Sequence, residues 1–273
     1  MLQSINIPSN VTSIGSNTFQ CCSSLQSITI PDGVTSIGEN TFYDCYSLQS
    51  ITIPDGVTSI GNSAFWNCYS LQSITIPDGV TSIGSNAFRN CCLLQSINIP
   101  SNVTSIGSNT FQYCSSLQSI TIPDGVTSIG RNAFDSCYSL QSITIPSSVT
   151  SIDNYAFQYC KSLQSITIPD GVTSIGRSAF WNCYNIRYAK INTTAIINSK
   201  TYNFYDSSNY INTTYDFSEV TAIPALSSTD GLNSSDYITA IIVPDALYDD
   251  WIATTNWASF SSKIKKASEY TYQ

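Results

Sequence analysis

The sequence contains no histidine, and charged residues make up only 10% of its 273 residues. Histidine is the general base or a metal ligand in most Ser-His-Asp, Cys-His and zinc sites, so its absence excludes those schemes. No glycine-rich phosphate loop is present. Five aspartates of the repeats recur at one turn position, whereas two hydrolytic carboxyls need unlike environments. The sequence therefore predicts a protein that is not an enzyme and holds no cofactor or metal.

Positive charge and long apolar runs are also scarce. Ten Lys and Arg face 18 Asp and Glu, for a net charge of −8. Without a basic patch, nucleic acid and anionic membranes are poor partners, and no run of about 18 apolar residues favours membrane insertion. No signal segment follows Met1. The chain would then use another export route, belong to a longer protein, or stay inside a cell or virion.

A 23-residue unit, LQSITIPDGVTSIGxx[AT]FxxCxS, occurs eight times in residues 2–185, and Ile186 opens a decayed ninth copy. A fixed period of this length predicts a stacked array of coils. In each coil Ile-Thr-Ile predicts a short strand and Pro-Asp-Gly a turn. The spacing of Phe42 and Cys45 is typical of one helical turn that faces the core. Gly33 and its equivalents predict a left-handed or otherwise crowded backbone.

Eight of the ten cysteines occupy one repeat position. Neighbouring coils lie about 4.8 Å apart, but equivalent side chains point the same way, so their Cβ atoms cannot converge to the roughly 3.8 Å of a disulfide. We expect buried free thiols that pack as small apolar groups. They are Cys22, Cys45, Cys68, Cys91, Cys114, Cys137, Cys160 and Cys183. Cys21 and Cys92 flank this row and are predicted surface thiols, able to pair with another chain.

The pattern L-x-x-I-x-I-P followed by V-x-x-I-x-x-x-A-F-x-x-C resembles the BspA-type leucine-rich repeat over about two thirds of the chain. The resemblance implies a right-handed, curved solenoid of parallel strands, with short helical turns on the convex side. It also implies a non-catalytic protein that binds proteins or cell surfaces, in the manner of bacterial and protozoan adhesins.

Sequence variation concentrates around the Phe–Cys pair, where aromatic and basic residues accumulate. Exposed Tyr and Trp give a large contact area at little entropic cost, which favours binding. The alternative is that these rings only cover the backbone, and the uniform Thr and Gln rows of the strand face are a rival surface for a repetitive glycan. The candidate binding residues are Tyr43, Tyr46, Trp66, Tyr69, Arg89, Tyr113, Tyr138, Tyr159, Trp181 and Tyr184.

Residues 186–273 differ in composition and predict a small mixed α/β capping domain. Residues 186–191 continue the repeat as a strand, residues 192–216 indicate loops or edge strands, and residues 237–243 predict a strand. Asp245 is a predicted N-cap of an amphipathic helix with apolar residues from Leu247 to Ile264. The run from Ile241 to Tyr270 resembles a tail segment joined to such repeats in gut-bacterial and phage-encoded proteins.

Two functions follow as hypotheses. The first is an adhesin-like or receptor-binding module, extracellular or at a cell surface, whose partner is a protein or glycan on a cell. The second is a structural phage-tail or filament component, with the solenoid as spacer. Leu2 begins an ordinary unit without a cap, so we expect either that further sequence precedes it in the natural protein or that another molecule docks there. The second hypothesis therefore includes self-association through the N-terminal end.

Overall fold

The computed structural model describes residues 3–193, 213–224, 232 and 238–271. Each coil contributes two short strands. The first row of strands is β1 Ser4–Asn6, β2 Ser27–Thr29, β4 Ser50–Thr52, β6 Ser73–Thr75, β8 Ser96–Asn98, β10 Ser119–Thr121, β12 Ser142–Thr144 and β14 Ser165–Ile168. The second row is β3 Ser36–Ile37, β5 Ser59–Ile60, β7 Ser82–Ile83, β9 Ser105–Ile106, β11 Ser128–Ile129, β13 Ser151–Ile152 and β15 Ser174–Ile175. The predicted repeat solenoid is therefore confirmed.

All strand pairs in the array are parallel and in register by one repeat. Ser4 pairs with Ser27, and Ser36 pairs with Ser59. Along the first row the burial alternates, so that Ile28 faces the core while Ser27 and Thr29 are exposed. Because every coil places the same side chains at the same height, Leu, Ile, Val, Phe and Cys form one continuous apolar column through the array.

The glycines at two turns allow close approach between coils. No described glycine has a positive φ, so of the two predicted reasons for Gly33 and its equivalents the crowded backbone applies. A Cβ at Gly79 would lie 3.3 Å from the Asp55 carbonyl oxygen of the preceding coil. The space around the second glycine of the coil is smaller, since a Cβ at Gly84 would lie 2.5 Å from the Asn62 nitrogen.

The convex segment, residues 38–47 in the second coil and their equivalents, is a run of tight turns in every described coil. Its backbone also bonds to the next coil, as when Phe42 N–H donates to the Ala64 oxygen at 2.8 Å. Stacked phenylalanine rings on this side are 5.3–5.7 Å apart between centroids. Parallel strands lie about 4.8 Å apart, so the ring side is the longer, outer side of a curved stack. The turns take the place of the predicted helical turn.

The cysteine row lies in this outer part of the core, and all ten cysteines are free. The seven from Cys45 to Cys183 are buried, while Cys22 of the first coil is only partly buried. Each buried thiol also donates to a phenylalanine carbonyl oxygen, as Cys45 Sγ does to Phe19 O at 3.1 Å. The thiols thus fill space as predicted and add a hydrogen bond between coils. Cys21 is exposed and Cys92 is partly buried.

The chain beyond the array continues the same sheet. The strands are β16 Tyr188–Ile191, β17 Thr213–Asp216, β18 Ile238–Val243 and β19 Ile264–Lys266, in the order β14-β16-β17-β18-β19. All four added pairings are parallel, and Ser165 pairs with Tyr188 one repeat later, as predicted. Residues 213–216 were expected in a loop or edge strand, but β17 is a buried interior strand.

The predicted amphipathic helix is much shorter than its apolar spacing indicated. Helix α1 spans Tyr248–Ala253, a 3₁₀ turn follows at Trp257–Phe260, and Ile264–Lys266 is strand β19. The break falls where Thr254 is extended and Asn256 has φ of 72°. Lys265 and Lys266, which the amphipathic pattern would place near a helix end, therefore lie in a strand. No described helix is long and apolar enough to cross a membrane.

The predicted N-cap role of Asp245 is wrong. Asp245 is the first residue of the 3₁₀ turn Asp245–Leu247, and α1 has no side-chain cap. The Asp245 carboxylate instead accepts hydrogen bonds from the Ser268 backbone N–H and hydroxyl. It therefore ties the turn after β18 to the chain that follows β19.

Candidate binding surface on the convex side

Five of the candidate residues form one cluster on coils two to four, here called the Trp66 cluster: Tyr43, Tyr46, Trp66, Tyr69 and Arg89. The edge of one ring meets the face of the other in the Tyr43–Trp66 pair, at 5.2 Å and 86°. Tyr46 and Tyr69 stack at 5.2 Å and 15°. The Arg89 guanidinium lies 4.8 Å from the centre of the Trp66 ring. The turns of three successive coils thus assemble a mixed aromatic and cationic surface.

A second group on coils six to eight, here called the Trp181 cluster, joins four further candidates through a lysine: Tyr138, Tyr159, Lys161, Trp181 and Tyr184. The Lys161 ammonium is 4.8 Å from the Tyr138 ring and 5.8 Å from those of Tyr159 and Tyr184. Tyr159 and Trp181 are 5.9 Å apart. Sequence analysis missed Lys161, although it stands in the tyrosine column between Tyr138 and Tyr184.

Coils five and six are polar in the column that holds Trp66 and Trp181. Gln112 and Asp135 occupy the column of Trp66, and the Gln112 amide donates to the Asp135 carboxylate at 2.8 Å. Both side chains are buried. Burial raises the pKa of Asp135, and the hydrogen bonds from Gln112 and Ser136 oppose that rise. Tyr113, the tenth candidate, lies beside Arg89 at 6.0 Å and is not part of either stack.

Some tyrosines of the convex side stand at backbone positions that favour smaller residues. Two positions in each convex segment have positive φ, as at Asn40 and Asp44. Asparagine and aspartate tolerate this conformation, whereas a bulky residue there is strained. Three tyrosines nevertheless occupy such positions, Tyr113, Tyr155 and Tyr159, with φ of 58–62°.

Rings in both clusters remain accessible, and so does the ring of Tyr113 outside them. Tyr46, Tyr69, Tyr113 and Tyr138 are each 38–40% exposed. The Tyr46 hydroxyl bonds the Asp44 carboxylate, and this raises the pKa of Tyr46. These tyrosines present hydroxyls together with ring edges, a surface typical of protein contacts.

The strand face is the rival surface, and it is uniform. Ser and Thr are exposed along it from coil to coil, as at Ser50 and Thr52. The side chains that vary between coils are concentrated on the convex side.

Among the described residues, no group of three or more His, Cys, Asp or Glu is placed to hold a metal ion.

Parallel strands in one-repeat register, a leucine and phenylalanine core and short strands on the inner side define a leucine-rich-repeat solenoid. The family model of the BspA type leucine rich repeat region matches residues 1–117 and 81–212. The chain belongs to this family, as its repeat motif predicted. The family and its fold are those of protein-interaction modules rather than enzymes.

Solved structures agree with this assignment. A leucine-rich repeat protein from Bacteroides ovatus is 27% identical and superposes with a TM-score of 0.71 over 97% of this chain and 74% of its own. A leucine-rich repeat protein of T. pallidum is 28% identical, with a TM-score of 0.55 over 67% and 78%. A leucine-rich cell surface protein from Faecalibacterium prausnitzii is 26% identical, with a TM-score of 0.50 over 97% and 88%. No curated protein sequence matches significantly.

Proposed function

We propose that the chain is a cell-surface interaction module that binds a protein through the convex side of its array. The observation that carries the proposal is the gathering of Tyr, Trp and cationic side chains into two clusters on that side. The described residues of the strand face repeat almost unchanged. One structural relative is itself a cell surface protein, which supports this setting.

The strained tyrosines support binding over simple backbone cover. A non-glycine residue in the left-handed region costs on the order of 1 kcal/mol, and Asn tolerates that region better than Tyr. Most coils place Asn, Asp or Ser at these positions, yet Tyr113 and Tyr159 are retained at the same backbone angles. A tyrosine that only shielded the backbone would bring no benefit to offset this strain.

The test uses Tyr113→Asn and Tyr159→Asn, which restore a residue that other coils carry at the same position. Peptides selected from a random display library on the wild-type protein serve as probes, measured by biolayer interferometry. We expect these variants to be at least as stable as the wild type and to lose affinity by about tenfold or more, as when a tyrosine at the energetic centre of an interface is removed. Thr75→Ala on the strand face is the control and should bind normally.

Loss of binding in Thr75→Ala, with full binding in both tyrosine variants, would contradict the convex-side proposal. It would favour the rival strand face instead. A thermal melt of each variant separates a lost contact from a lost fold.

The alternative function is a structural one, in which the array is a spacer in a phage tail or filament and associates end to end. The first coil offers an apolar face that a further coil, within one chain or from a second copy, would cover. Ile5, Ile7 and Val11 are only partly buried, and they line an open cavity of about 310 Å³ with Ile14 and Phe19. Equivalent residues of the second coil, such as Ile28 and Val34, are buried.

Self-association through this face would appear as a mass that grows with protein concentration in light scattering. Ile7→Lys should abolish that growth because it places a charge in the apolar face. A mass that stays monomeric across the concentration range would contradict the structural alternative. The interaction module would then be the remaining proposed function.

A further inference from the structure

The large apolar and aromatic side chains that stay exposed lie together on one part of the array. Among the described residues there are five, and each of five successive coils, from coil two to coil six, contributes one. Single exposed apolar residues are ordinary on protein surfaces, whereas a contiguous set marks an interaction site. We call this set the exposed stripe: Tyr46, Tyr69, Leu93, Tyr113 and Tyr138, each 38–46% exposed.

Leu93 is the member of the stripe that the repeat explains least. In the seven other coils its column holds serine six times and asparagine once, at Asn185. The backbone before Leu93 is held in place, because the Cys92 carbonyl oxygen accepts hydrogen bonds from the Ser115 hydroxyl at 3.2 Å and the Ser116 N–H at 3.1 Å. The leucine thus projects from a fixed part of the surface, which reduces the entropic cost of a contact there.

Tyr113 is a second departure from the repeat. Residues 2–38 and 94–130 are copies that differ only at Cys21 and Tyr113. Both residues have the same left-handed backbone, with φ of 61° and 62°. The one difference between the copies therefore places an exposed ring where the first coil has a small side chain. Coils four and five each depart from the repeat at the residue that continues the stripe.

The spacing of the stripe matches the pitch of an α-helix. Stacked phenylalanine rings step 5.3–5.7 Å per coil from coil two to coil six, and the Tyr46 and Tyr69 rings are 5.2 Å apart. One turn of an α-helix rises about 5.4 Å, so a helix along the array would place one turn on each coil. In an extended peptide, side chains on one face recur about every 6.7 Å, and over four steps the mismatch reaches roughly 5 Å.

A second copy of this chain does not supply such a helix from its described residues. A helix that contacts all five coils needs about 15 residues, at about 1.5 Å per residue. In the part of the chain that the structure describes, the α-helix is α1, with six residues. The helix that fits the stripe therefore belongs to another protein.

We propose, on the basis of the function proposed above, that the exposed stripe binds an amphipathic α-helix of a partner protein, lying along the array. Apolar residues at positions i, i+4, i+7, i+11 and i+14 of that helix contact one coil each, as the apolar face of a helix does when it binds a protein groove. Leu93, on the middle coil of the five, is the central contact. The tyrosines on either side add apolar area and hydroxyls.

The experiment selects binders of the wild-type protein from two display libraries with equal numbers of random positions. In one library these positions lie on the outer face of a helix within a stable helical hairpin, and in the other they lie in a linear peptide. The protein variants are Leu93→Ser and Tyr113→Asn, each with a residue that other coils carry in the same column. Asn185→Ser makes the same kind of change in the column of Leu93, outside the stripe, and is the control.

We expect the helical library to give the tighter binders. Their affinity should fall about tenfold or more with Leu93→Ser and with Tyr113→Asn, and stay unchanged with Asn185→Ser. An alanine scan of a selected helix should find its sensitive residues three and four positions apart. Because Leu93 is 46% exposed, Leu93→Ser should melt at the temperature of the wild type, which separates a lost contact from a lost fold.

Full binding of the helical binders to Leu93→Ser, or a helical library that yields no binders, would overturn the proposal. Linear binders that are tighter than the helical ones and sensitive at alternate positions would overturn it as well. If Tyr113→Asn or Tyr159→Asn still weakens the linear peptides in those cases, the proposed function stands without the helical partner. Binding that is lost only in Thr75→Ala, on the strand face, removes both.

Discussion

The array and the chain that follows it share one sheet direction but stabilise it differently. In the array, strands of two to four residues bury alternate side chains, and the coil repeats at 23 residues. In the C-terminal region β17 is buried along its whole length, and the offset between paired strands grows to 26 residues at β16 and β17. A cluster of Phe217, Trp251, Trp257 and Phe260 packs there.

The difference shows what repetition supplies. In the array, each coil needs only one large buried ring, its phenylalanine, because identical neighbours complete its core on both sides. The C-terminal strands lack that symmetry, so large rings and a short helix cover them. We therefore expect local stability in the array to depend on neighbouring coils, and stability in the C-terminal region to depend on a few aromatic residues.

The largest predicted effect tests whether the array and the C-terminal region are stabilised in these different ways. Trp257→Ala removes a fully buried ring, and Phe111→Ala interrupts the ring stack between Phe88 and Phe134. Each should cost about 3–5 kcal/mol of unfolding free energy. Hydrogen exchange should rise in residues 213–271 for Trp257→Ala, and in coils four to six for Phe111→Ala.

Tyr248→Phe, on the partly exposed side of α1, is the control for both variants and should leave exchange unchanged. A uniform rise in hydrogen exchange along the whole chain in either core variant would mean that the array and the C-terminal region unfold as one unit. That result would contradict the expected difference between the two regions.

A smaller difference in stability is expected between Gly→Ala substitutions in the inner coils and in the first coil. Gly84→Ala places a Cβ 2.5 Å from the backbone of the preceding coil, whereas Gly15→Ala meets only the Thr18 hydroxyl at 3.7 Å. We expect Gly84→Ala to destabilise by about 1–3 kcal/mol, the usual cost of overpacking. Gly15→Ala should change little, as measured by urea unfolding. Equal effects would show that the coils are not held as closely as the structure indicates.

The smallest predicted effect is a pH dependence of opposite sign in the two regions. Burial raises the pKa of Asp135, so its contribution to stability falls as pH rises above the ordinary carboxyl value. Hydrogen bonds from Ser268 lower the pKa of Asp245, so its contribution is lost as pH falls below that value. Asp135→Asn should remove the first slope and Asp245→Asn the second, in urea midpoints measured across acidic pH. Slopes of the same sign would contradict this.

Regular features were predictable because the period repeats them. The strand at Ile28, the buried row at Cys45 and the column shared by Tyr46 and Tyr69 each follow from residues that recur every 23 positions. Lys161 was harder to predict than Arg89, because it replaces a tyrosine of its column and contacts the rings of neighbouring coils. The break of the C-terminal helix depends on Asn256 in a left-handed conformation, which apolar spacing does not reveal.

The repeat pattern also could not predict the backbone strain at Tyr113 and Tyr159. That conclusion needs the sign of φ, and the aligned residues in other coils vary among Cys, Asp, Asn and Ser. The hydrogen bonds of the thiols were missed for a similar reason, because the register of Cys45 against the Phe19 carbonyl depends on how one coil stacks on another.

Thiol accessibility in the native protein most directly tests the in-register stack, on which both clusters depend. Burial raises the pKa of Cys45 to about 12, and six further ladder thiols are fully enclosed. With iodoacetamide at mildly alkaline pH, followed by mass spectrometry, the account predicts rapid labelling of Cys21, slower labelling of Cys22 and Cys92, and none of the other seven before unfolding. Labelling of those seven at the rate of Cys21, or disulfides among them, would contradict it.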